Sequence, residues 1–224
     1  MLEPLGLIVR SAKIILLACL AATLSACATP ATDDGQLKGL SVSGLGEGGC
    51  LVGSIGEDTA RSFVGSFGWV FLIYGPVGND NVTQQIKFGH NGVVDTPLDF
   101  TEKDLAAATF RICLQPGKYE IRNVRFYYNN GMVEKTFSAR EPFSIPLDVV
   151  RGEVHYVGRY IAHTVKGKNI FGLPILAGGY FTVEDATQND WPVIRKKYPA
   201  LPDSPLAFIP ASASLPKPFI VERQ

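Results

Sequence analysis

The chain has 224 residues with 21 basic and 21 acidic side chains, and 46% of its residues are hydrophobic. This length allows one domain with a substantial core, or two small domains. The balanced charge argues against nucleic-acid binding and against a purely electrostatic hold on anionic lipid, because both require concentrated Lys and Arg.

The first 26 residues have the pattern of a secretory leader. Arg10 and Lys13 give a positive start, and residues 14–24 form a mostly apolar run that is too short to cross a bilayer as a helix. The sequence Leu-Ser-Ala then leads directly into Cys27. This segment resembles the lipobox of bacterial lipoproteins, in which a lipid is attached to the cysteine thiol and the leader is cleaved just before it. An ordinary secretory leader is the alternative.

The lipobox resemblance implies that residues 1–26 are a signal peptide and that the mature chain is anchored by acyl chains on Cys27. In lipoproteins of Gram-negative type, an aspartate after the lipidated cysteine signals retention in the inner membrane. Ala28 stands at this position, so the resemblance implies a lipid-anchored protein of the outer membrane. Residues 27–48 are rich in small side chains and predict a flexible tether with a span of roughly 25 Å.

Two cysteines remain for the folded domain. Cys19 leaves with the leader and Cys27 is the predicted lipid site, so Cys50 and Cys113 are left. Disulfides persist outside the cytoplasm, and a bridge that closes so long a loop would contribute about 4 kcal/mol in the chain-entropy view. The alternative is two separate buried thiols, since free cysteine is often a small core residue.

Residues 49–200 are predicted to form one domain. Residues 67–74 are apolar on both faces, which indicates a strand buried on both sides at the centre of a sheet. Asn130-Gly131 can adopt the positive φ angles of a tight hairpin. The candidate strands are residues 67–74, 85–88, 124–128, 132–137, 143–147, 153–163 and 178–183. About eight short strands predict a mainly β protein with an antiparallel β-sandwich.

One helix is predicted near the C-terminus, at residues 190–198. Asn189 or Asp190 can cap it. Trp191, Ile194 and Tyr198 share one face, which must dock on the sandwich because so short a helix is marginal alone. Six prolines follow between positions 199 and 218, so residues 201–224 are predicted to be an extended tail that lies along the domain.

A turn in the middle of the chain carries a second resemblance. Residues 114–121 read Leu-Gln-Pro-Gly-Lys-Tyr-Glu-Ile and follow a predicted strand. Pro116-Gly117 fits the centre of a type II turn, and Tyr119 is expected to pack inward. The segment is similar to turns of prealbumin-like and immunoglobulin-like sandwich modules. Together with residues 152–158 it resembles uncharacterised bacterial envelope lipoproteins built on such a sandwich, a resemblance that implies no known enzyme activity.

Residues able to carry chemistry are few. His155 and His163 are predicted on one strand face but roughly 27 Å apart, so they cannot share a metal, and His90 is predicted in a loop. The acidic residues Asp99, Glu102 and Asp104 are predicted to lie in a solvated loop and to cap a helix rather than to form an acid–base pair. The sequence contains no nucleophile elbow, phosphate-binding loop or zinc-protease motif. We therefore predict no enzyme activity, metal or cofactor.

Tyrosines give the one indication of a binding surface. Tyr127, Tyr128, Tyr156 and Tyr160 are dense for one sheet, and an open face would offer them to an envelope protein or a glycan. Core packing is the alternative. The sequence predicts a non-catalytic structural or interaction module of the cell envelope, with a ligand-binding protein as the second hypothesis and a hydrolase as the third.

Overall fold

The computed structural model describes residues 40–60, 65–89, 95–203 and 205, and the backbone of residues 220–222. The predicted leader, Cys27, His90 and most of the Pro-rich tail lie outside this part of the chain. The described residues form a mainly β structure with two sheets and one short C-terminal helix. The elements are β1 (Gly49–Asp58), β2 (Trp69–Pro76), β3 (Gln84–Phe88), β4 (Phe100–Glu102), β5 (Leu105–Leu114), β6 (Gly117–Asn129), β7 (Glu134–Ser138), β8 (Ile145–Val149), β9 (Val154–Lys168), β10 (Pro174–Glu184), α1 (Thr187–Lys197) and β11 (Ile220–Glu222).

The first sheet has the strand order β11-β10-β9-β1-β5-β4 and mixed strand directions. β1 is antiparallel to β5 but parallel to β9, and β10 is parallel to β11. The prediction of antiparallel pairing throughout is therefore wrong at these two places. The reason is that β9 enters the sheet beside the start of β1, where Cys50 N donates to Glu153 O at 2.9 Å, and then runs in the same direction as β1.

The second sheet has the order β3-β2-β6-β7, and β8 pairs with the first half of β6. The predicted hairpin joins β6 to β7, and Gly131 at its tip has a φ of 86°. β2 was predicted to be buried on both faces, but its side chains alternate. Val70, Leu72 and Tyr74 are buried, whereas the residues between them are half-buried. The outward face of this strand is thus apolar without being covered completely.

The core lies between the two sheets. Leu51 and Ile55 of β1 belong to the same buried cluster as Leu72 and Phe126 of the second sheet. Phe126 is in contact with Phe181 of β10, with ring centroids 5.0 Å apart. Burial of this apolar surface from both sheets is the main stabilising contribution to the fold.

The Pro116-Gly117 segment passes from the first sheet to the second. β5 ends at Leu114 in one sheet, and β6 begins at Gly117 in the other. Gly117 does not have a positive φ, whereas a type II turn requires one at its third residue. The predicted type II turn is therefore wrong. A segment that connects two sheets does not need the tight chain reversal of a hairpin. Tyr119 does pack inward, and its hydroxyl donates to Gln115 O at 3.0 Å.

Helix α1 packs on the face of the first sheet that is turned away from the core. Ile194 is fully buried there in a second cluster with Val52 and Tyr156, and Trp191 and Tyr198 pack against this cluster. The helix begins at Thr187, three residues before the predicted start, so Asp190 is an interior residue rather than a cap. At its other end, Lys197 Nζ donates to Asp99 Oδ2 at 2.6 Å. The predicted docking face is the one that the structure uses.

Residues 40–48, predicted as part of the tether, pack against the domain. Val42 N donates to Cys113 O at 3.0 Å, and Gln115 N donates to Leu40 O at 2.9 Å. Glycine at position 48 allows this segment to lie close to the end of β5, because a Cβ atom there would be 2.0 Å from Leu114 O. The predicted tether therefore does not extend over residues 40–48.

Candidate functional site

A β-bulge in β9 decides which side chains face the core. Val52 pairs with Tyr156, but Ser54 pairs with Arg159, so β9 has one extra residue at this point. Gly158 lies in the bulge with a φ of 113°, a value that favours glycine. A one-residue shift moves every later side chain to the opposite face. Strict alternation therefore predicts the faces of β9 correctly only up to the bulge.

The bulge separates the tyrosines that the sequence placed on one face. Tyr156 is buried beneath α1, whereas Tyr160 is buried in the core between the sheets. Tyr127 and Tyr128 are half-buried residues of the other sheet. The predicted aromatic binding face is thus wrong, because two of its four members are inaccessible and the set is divided over different surfaces.

Asp190 lies at the centre of a buried polar network between α1 and the first sheet. Its side chain is 0% exposed. Asp190 Oδ2 accepts hydrogen bonds from Ser54 Oγ at 2.5 Å and from Tyr156 Oη at 2.6 Å. Asp190 Oδ1 accepts from Nε of Arg159 at 3.1 Å and also from Nη2. The carboxylate is satisfied by three side chains of β1 and β9, so it fixes the helix to the sheet.

The charges in this network stabilise each other. Burial acts to lower the pKa of Arg159, but its hydrogen bonds and attraction to Asp190 outweigh burial and leave that pKa raised. Burial, followed by the charge of Asp190, raises the pKa of the Tyr156 hydroxyl, which stays protonated as a donor. The central carboxylate has no exposed surface, and both of its oxygens accept hydrogen bonds, so the network links α1 to the sheet.

A second polar cluster lies on the same sheet face, nearer the end of β1. Asp58 Oδ2 lies 3.0 Å from His163 Nδ1, and His163 Nε2 lies 2.9 Å from Thr182 Oγ1. The ring of Tyr180 stacks on His163 with 4.9 Å between centroids. A carboxylate, an imidazole and a hydroxyl in sequence is the arrangement that nucleophilic enzymes use to activate a hydroxyl.

The surroundings of Thr182 do not suit such a reaction. It lies in the middle of β10, paired on one side with Ile161 and on the other with Val221. Backbone N–H groups in a strand paired on both sides are used within the sheet, whereas acyl transfer needs free N–H groups to stabilise an oxyanion. We therefore interpret the Asp58–His163–Thr182 cluster as a structural link between β1, β9 and β10.

Histidine and carboxylate positions differ from the sequence predictions in detail. The bulge places His155 and His163 on opposite faces of β9, and His155 Nε2 lies 3.0 Å from Glu153 Oε2. Asp99 accepts hydrogen bonds from Thr109 and Lys197, so it is not part of a solvated loop. Burial acts to raise the pKa of Asp99, but these hydrogen bonds outweigh it and leave that pKa lowered.

Glu57 is a buried carboxyl group on the core side of β1. Its Oε1 atom accepts a hydrogen bond from Phe67 N at 2.7 Å. Burial raises the pKa of Glu57 to about 7; the Phe67 hydrogen bond lowers it, and the charge of Asp58 raises it further. No sequence pattern indicated that this group is buried, since Glu57 stands beside Asp58 at the end of a strand, where charged residues are usually solvated.

The raised pKa of Glu57 predicts that the protein loses stability as the pH rises. Between its unfolded pKa of 4.5 and its folded pKa of about 7, the folded protein holds a proton that the unfolded chain has released. The free energy of unfolding should therefore fall by about 3 kcal/mol over this window. Urea denaturation between pH 4.5 and 7.5 measures the change. The Glu57→Gln variant keeps an acceptor for Phe67 N and should lack this component, and equal slopes in both proteins would refute the assignment.

Cys50 and Cys113 are joined in a disulfide that holds β1 to β5. The two residues are direct partners in the antiparallel register, with Cα atoms 4.1 Å apart. They are buried beneath α1, in the same cluster as Ile194. The two cysteines are 63 positions apart in the sequence, so the bridge restrains the chain between β1 and β5.

The turn between β9 and β10 exposes three apolar side chains, which we call the apolar tip. Ile170 is 92% exposed, Phe171 is 79% exposed and Leu173 is 59% exposed. The turn is held by Asn169, whose Oδ1 atom accepts from Phe171 N at 2.9 Å and from Leu173 N at 3.0 Å. This exposed turn is not among the features predicted from the sequence, although Asn-Ile-Phe-Gly-Leu is unusually apolar for a hairpin turn.

The described residues contain no group of three or more His, Cys, Asp or Glu side chains that could hold a metal ion. Among the helices described here, none is long and apolar enough to cross a membrane.

Comparisons with known proteins give little beyond this geometry. No family model matches the chain, and no curated protein matches it. Among solved structures, a leucine-rich repeat protein from Bacteroides thetaiotaomicron VPI-5482 is similar over 50% of this chain and 13% of its own length, with 10% sequence identity and a TM-score of 0.30. A likeness this weak carries no argument about fold or function.

Proposed function

We propose that the protein is a lipid-anchored lipoprotein of the bacterial outer membrane whose β domain is a non-catalytic structural or interaction module. The sequence Leu-Ser-Ala-Cys27 after an apolar leader supports the anchor. The observation that carries the proposal within the structure is the disulfide between Cys50 and Cys113. Disulfides of this kind persist in the periplasm and outside the cell, where a lipoprotein resides, and are rare in the cytosol.

We propose an immunoglobulin-like or prealbumin-like sandwich as the type of fold. Two sheets that share one core, and a connection at Pro116-Gly117 that crosses between them, support this interpretation. In such modules the sheets provide a rigid frame and the loops at the ends make contacts with partners.

The polar clusters support a non-catalytic role. Asp190 is inaccessible, and Thr182 lies within a paired strand. The ligand-binding alternative relied on the aromatic face, which Tyr156 and Tyr160 cannot supply because they are buried. The surfaces that remain for contacts are the loops of the domain, above all the apolar tip.

Replacing Cys27 with alanine should release the protein from the membrane fraction, because the acyl chains would be its main anchor. Fractionation of cells that express each variant, together with incorporation of labelled palmitate, measures the effect. Cys19→Ala is the matched control, since it removes a thiol from the apolar leader and should change neither labelling nor fractionation. Palmitate labelling that survives Cys27→Ala, or membrane retention of that variant at high salt, would contradict the proposal.

A further inference from the structure

We propose that the apolar tip of the β9–β10 hairpin inserts into the surface of the lipid bilayer that carries the anchor. This inference rests on the proposed function, because the acyl chains on Cys27 would hold the domain beside that bilayer. The tip would give the tethered domain a second, reversible contact and thereby a preferred orientation.

The tip is ordered rather than loose. Besides the two bonds to its side chain, Asn169 donates from its own N–H to Leu173 O at 2.9 Å, and Gly172 N donates to Asn169 O at 2.9 Å. Gly172 has a φ of 74°, which glycine tolerates. Four of the five backbone N–H groups of residues 169–173 are thus hydrogen-bonded within the turn, which lowers the cost of bringing this turn to the less polar surface of a membrane.

The side chains of the apolar tip are mostly exposed, so Ile170 and Phe171 contribute little to the core. Turns normally carry small polar residues, and large exposed apolar groups mark interaction sites. A narrow hairpin that presents separate aliphatic and aromatic side chains suits a deformable lipid surface, whereas a protein partner would need a groove of matching shape.

Charge along the hairpin favours the same occupant. Residues 154–183 contain no Asp or Glu. Lys166 and Lys168 lie on the β9 arm just before the tip, and both are exposed. Their long side chains can keep their ammonium groups at the level of anionic headgroups while the tip lies deeper. Two lysines are too few to hold the protein by charge alone, so apolar insertion must supply most of this contact.

A second hairpin leaves the same end of the domain. β9 runs parallel to β1, so the tip lies beyond the end of β1 that carries Glu57. Phe67 N donates to Glu57, and Gly68 N donates to Tyr127 O, so β6 also approaches this end. The exposed Met132 at the β6–β7 turn therefore projects in the same direction as the apolar tip.

The length of the tether limits the orientation. The described chain enters the domain beside the start of β1, at the opposite end from the tip. Residues 27–39 can extend at most about 45 Å, and β9 with its turn spans about 50 Å. The two lengths are similar, so a tilted domain can place both the anchor and the tip in the same bilayer.

The test uses the full lipidated protein reconstituted in vesicles of phosphatidylethanolamine and phosphatidylglycerol. The Ile170→Cys variant is labelled with an environment-sensitive fluorophore at its one free thiol, since the disulfide and the lipid occupy the others. Val77→Cys is the matched control, because Val77 is 53% exposed in a turn at the opposite end. We expect emission at shorter wavelength and strong quenching by lipids with nitroxide-labelled acyl chains at position 170, and neither effect at position 77.

A second change tests the physical cause. Adding Phe171→Ser to the labelled Ile170→Cys protein should reduce the equilibrium constant between the inserted and the free tip roughly tenfold or more, which is the effect of removing one buried aromatic side chain. Solvent-like emission at position 170 in protein that still floats with the vesicles would overturn the inference and leave the proposed function intact. Protection of the label in native envelope but not in pure lipid would also overturn it, in favour of a protein partner. Failure of the wild-type protein to float would count against the anchor itself.

Discussion

Replacing Asp190 with alanine is expected to lower the free energy of unfolding by about 3–5 kcal/mol, because it would leave a buried charge without its partner. Arg159 is 5% exposed, and Asp190 accepts two of its hydrogen bonds. Glu184 remains, but its Oε1 atom lies 4.0 Å from Arg159 Nη1. Ser54 and Tyr156 would lose the acceptor of their hydroxyl groups as well. Urea denaturation followed by tryptophan fluorescence measures the change, and Trp191 in α1 is a convenient probe.

Asp80→Ala is the matched control for this prediction. Asp80 also pairs with an arginine, since Arg122 Nη1 lies 2.9 Å from Asp80 Oδ1, but its side chain is 92% exposed. Arg122 is 12% exposed but keeps its hydrogen bonds to Asn79 O and Val82 O. A pair with so exposed a carboxylate contributes about 0–1 kcal/mol, so this variant should be nearly as stable as the wild type. Similar losses from both changes would show that α1 is not fixed to the sheet by a buried carboxylate.

Removing the disulfide is the second large effect that we expect. The Cys50→Ala, Cys113→Ala double variant should lose about 4 kcal/mol of stability, because the loop between two positions 63 residues apart is no longer closed in the unfolded chain. Reductant should destabilise the wild type by a similar amount and leave the double variant unchanged. Thiol titration of the denatured, lipidated wild-type protein should find no free thiol, and two titratable thiols would contradict the bridge.

Much of the fold follows from local sequence patterns, and the exceptions have identifiable causes. The β6–β7 hairpin was predictable because Asn130-Gly131 supplies the turn between two alternating segments. The faces on which the β9 side chains lie were not predictable, because Gly158 allows a bulge and strict alternation of side chains assumes that a strand has none. The parallel pairing of β1 with β9 depends on how the chain returns from β8, and no local signal records that path.

The polar network could be predicted only in part. Arg159 stands in a run of apolar residues within β9, and a charged residue in a buried strand requires a partner. The sequence therefore signals that a carboxylate must be near, but it does not say which one. Asp190 looked like a helix cap because Asp is common at that position, and its true role depends on a helix that starts three residues earlier.

The mass of the N-terminal peptide from the mature protein tests the central claim most directly. Protein purified from the envelope and digested with protease should give a peptide that begins at Cys27 and carries a diacylglyceryl group on the Cys27 sulfur atom. This result would establish both the cleavage site and the anchor. A peptide that begins at any other residue, or one in which Cys27 is present without lipid, would contradict the proposal that this β domain is held at the envelope by an acyl anchor.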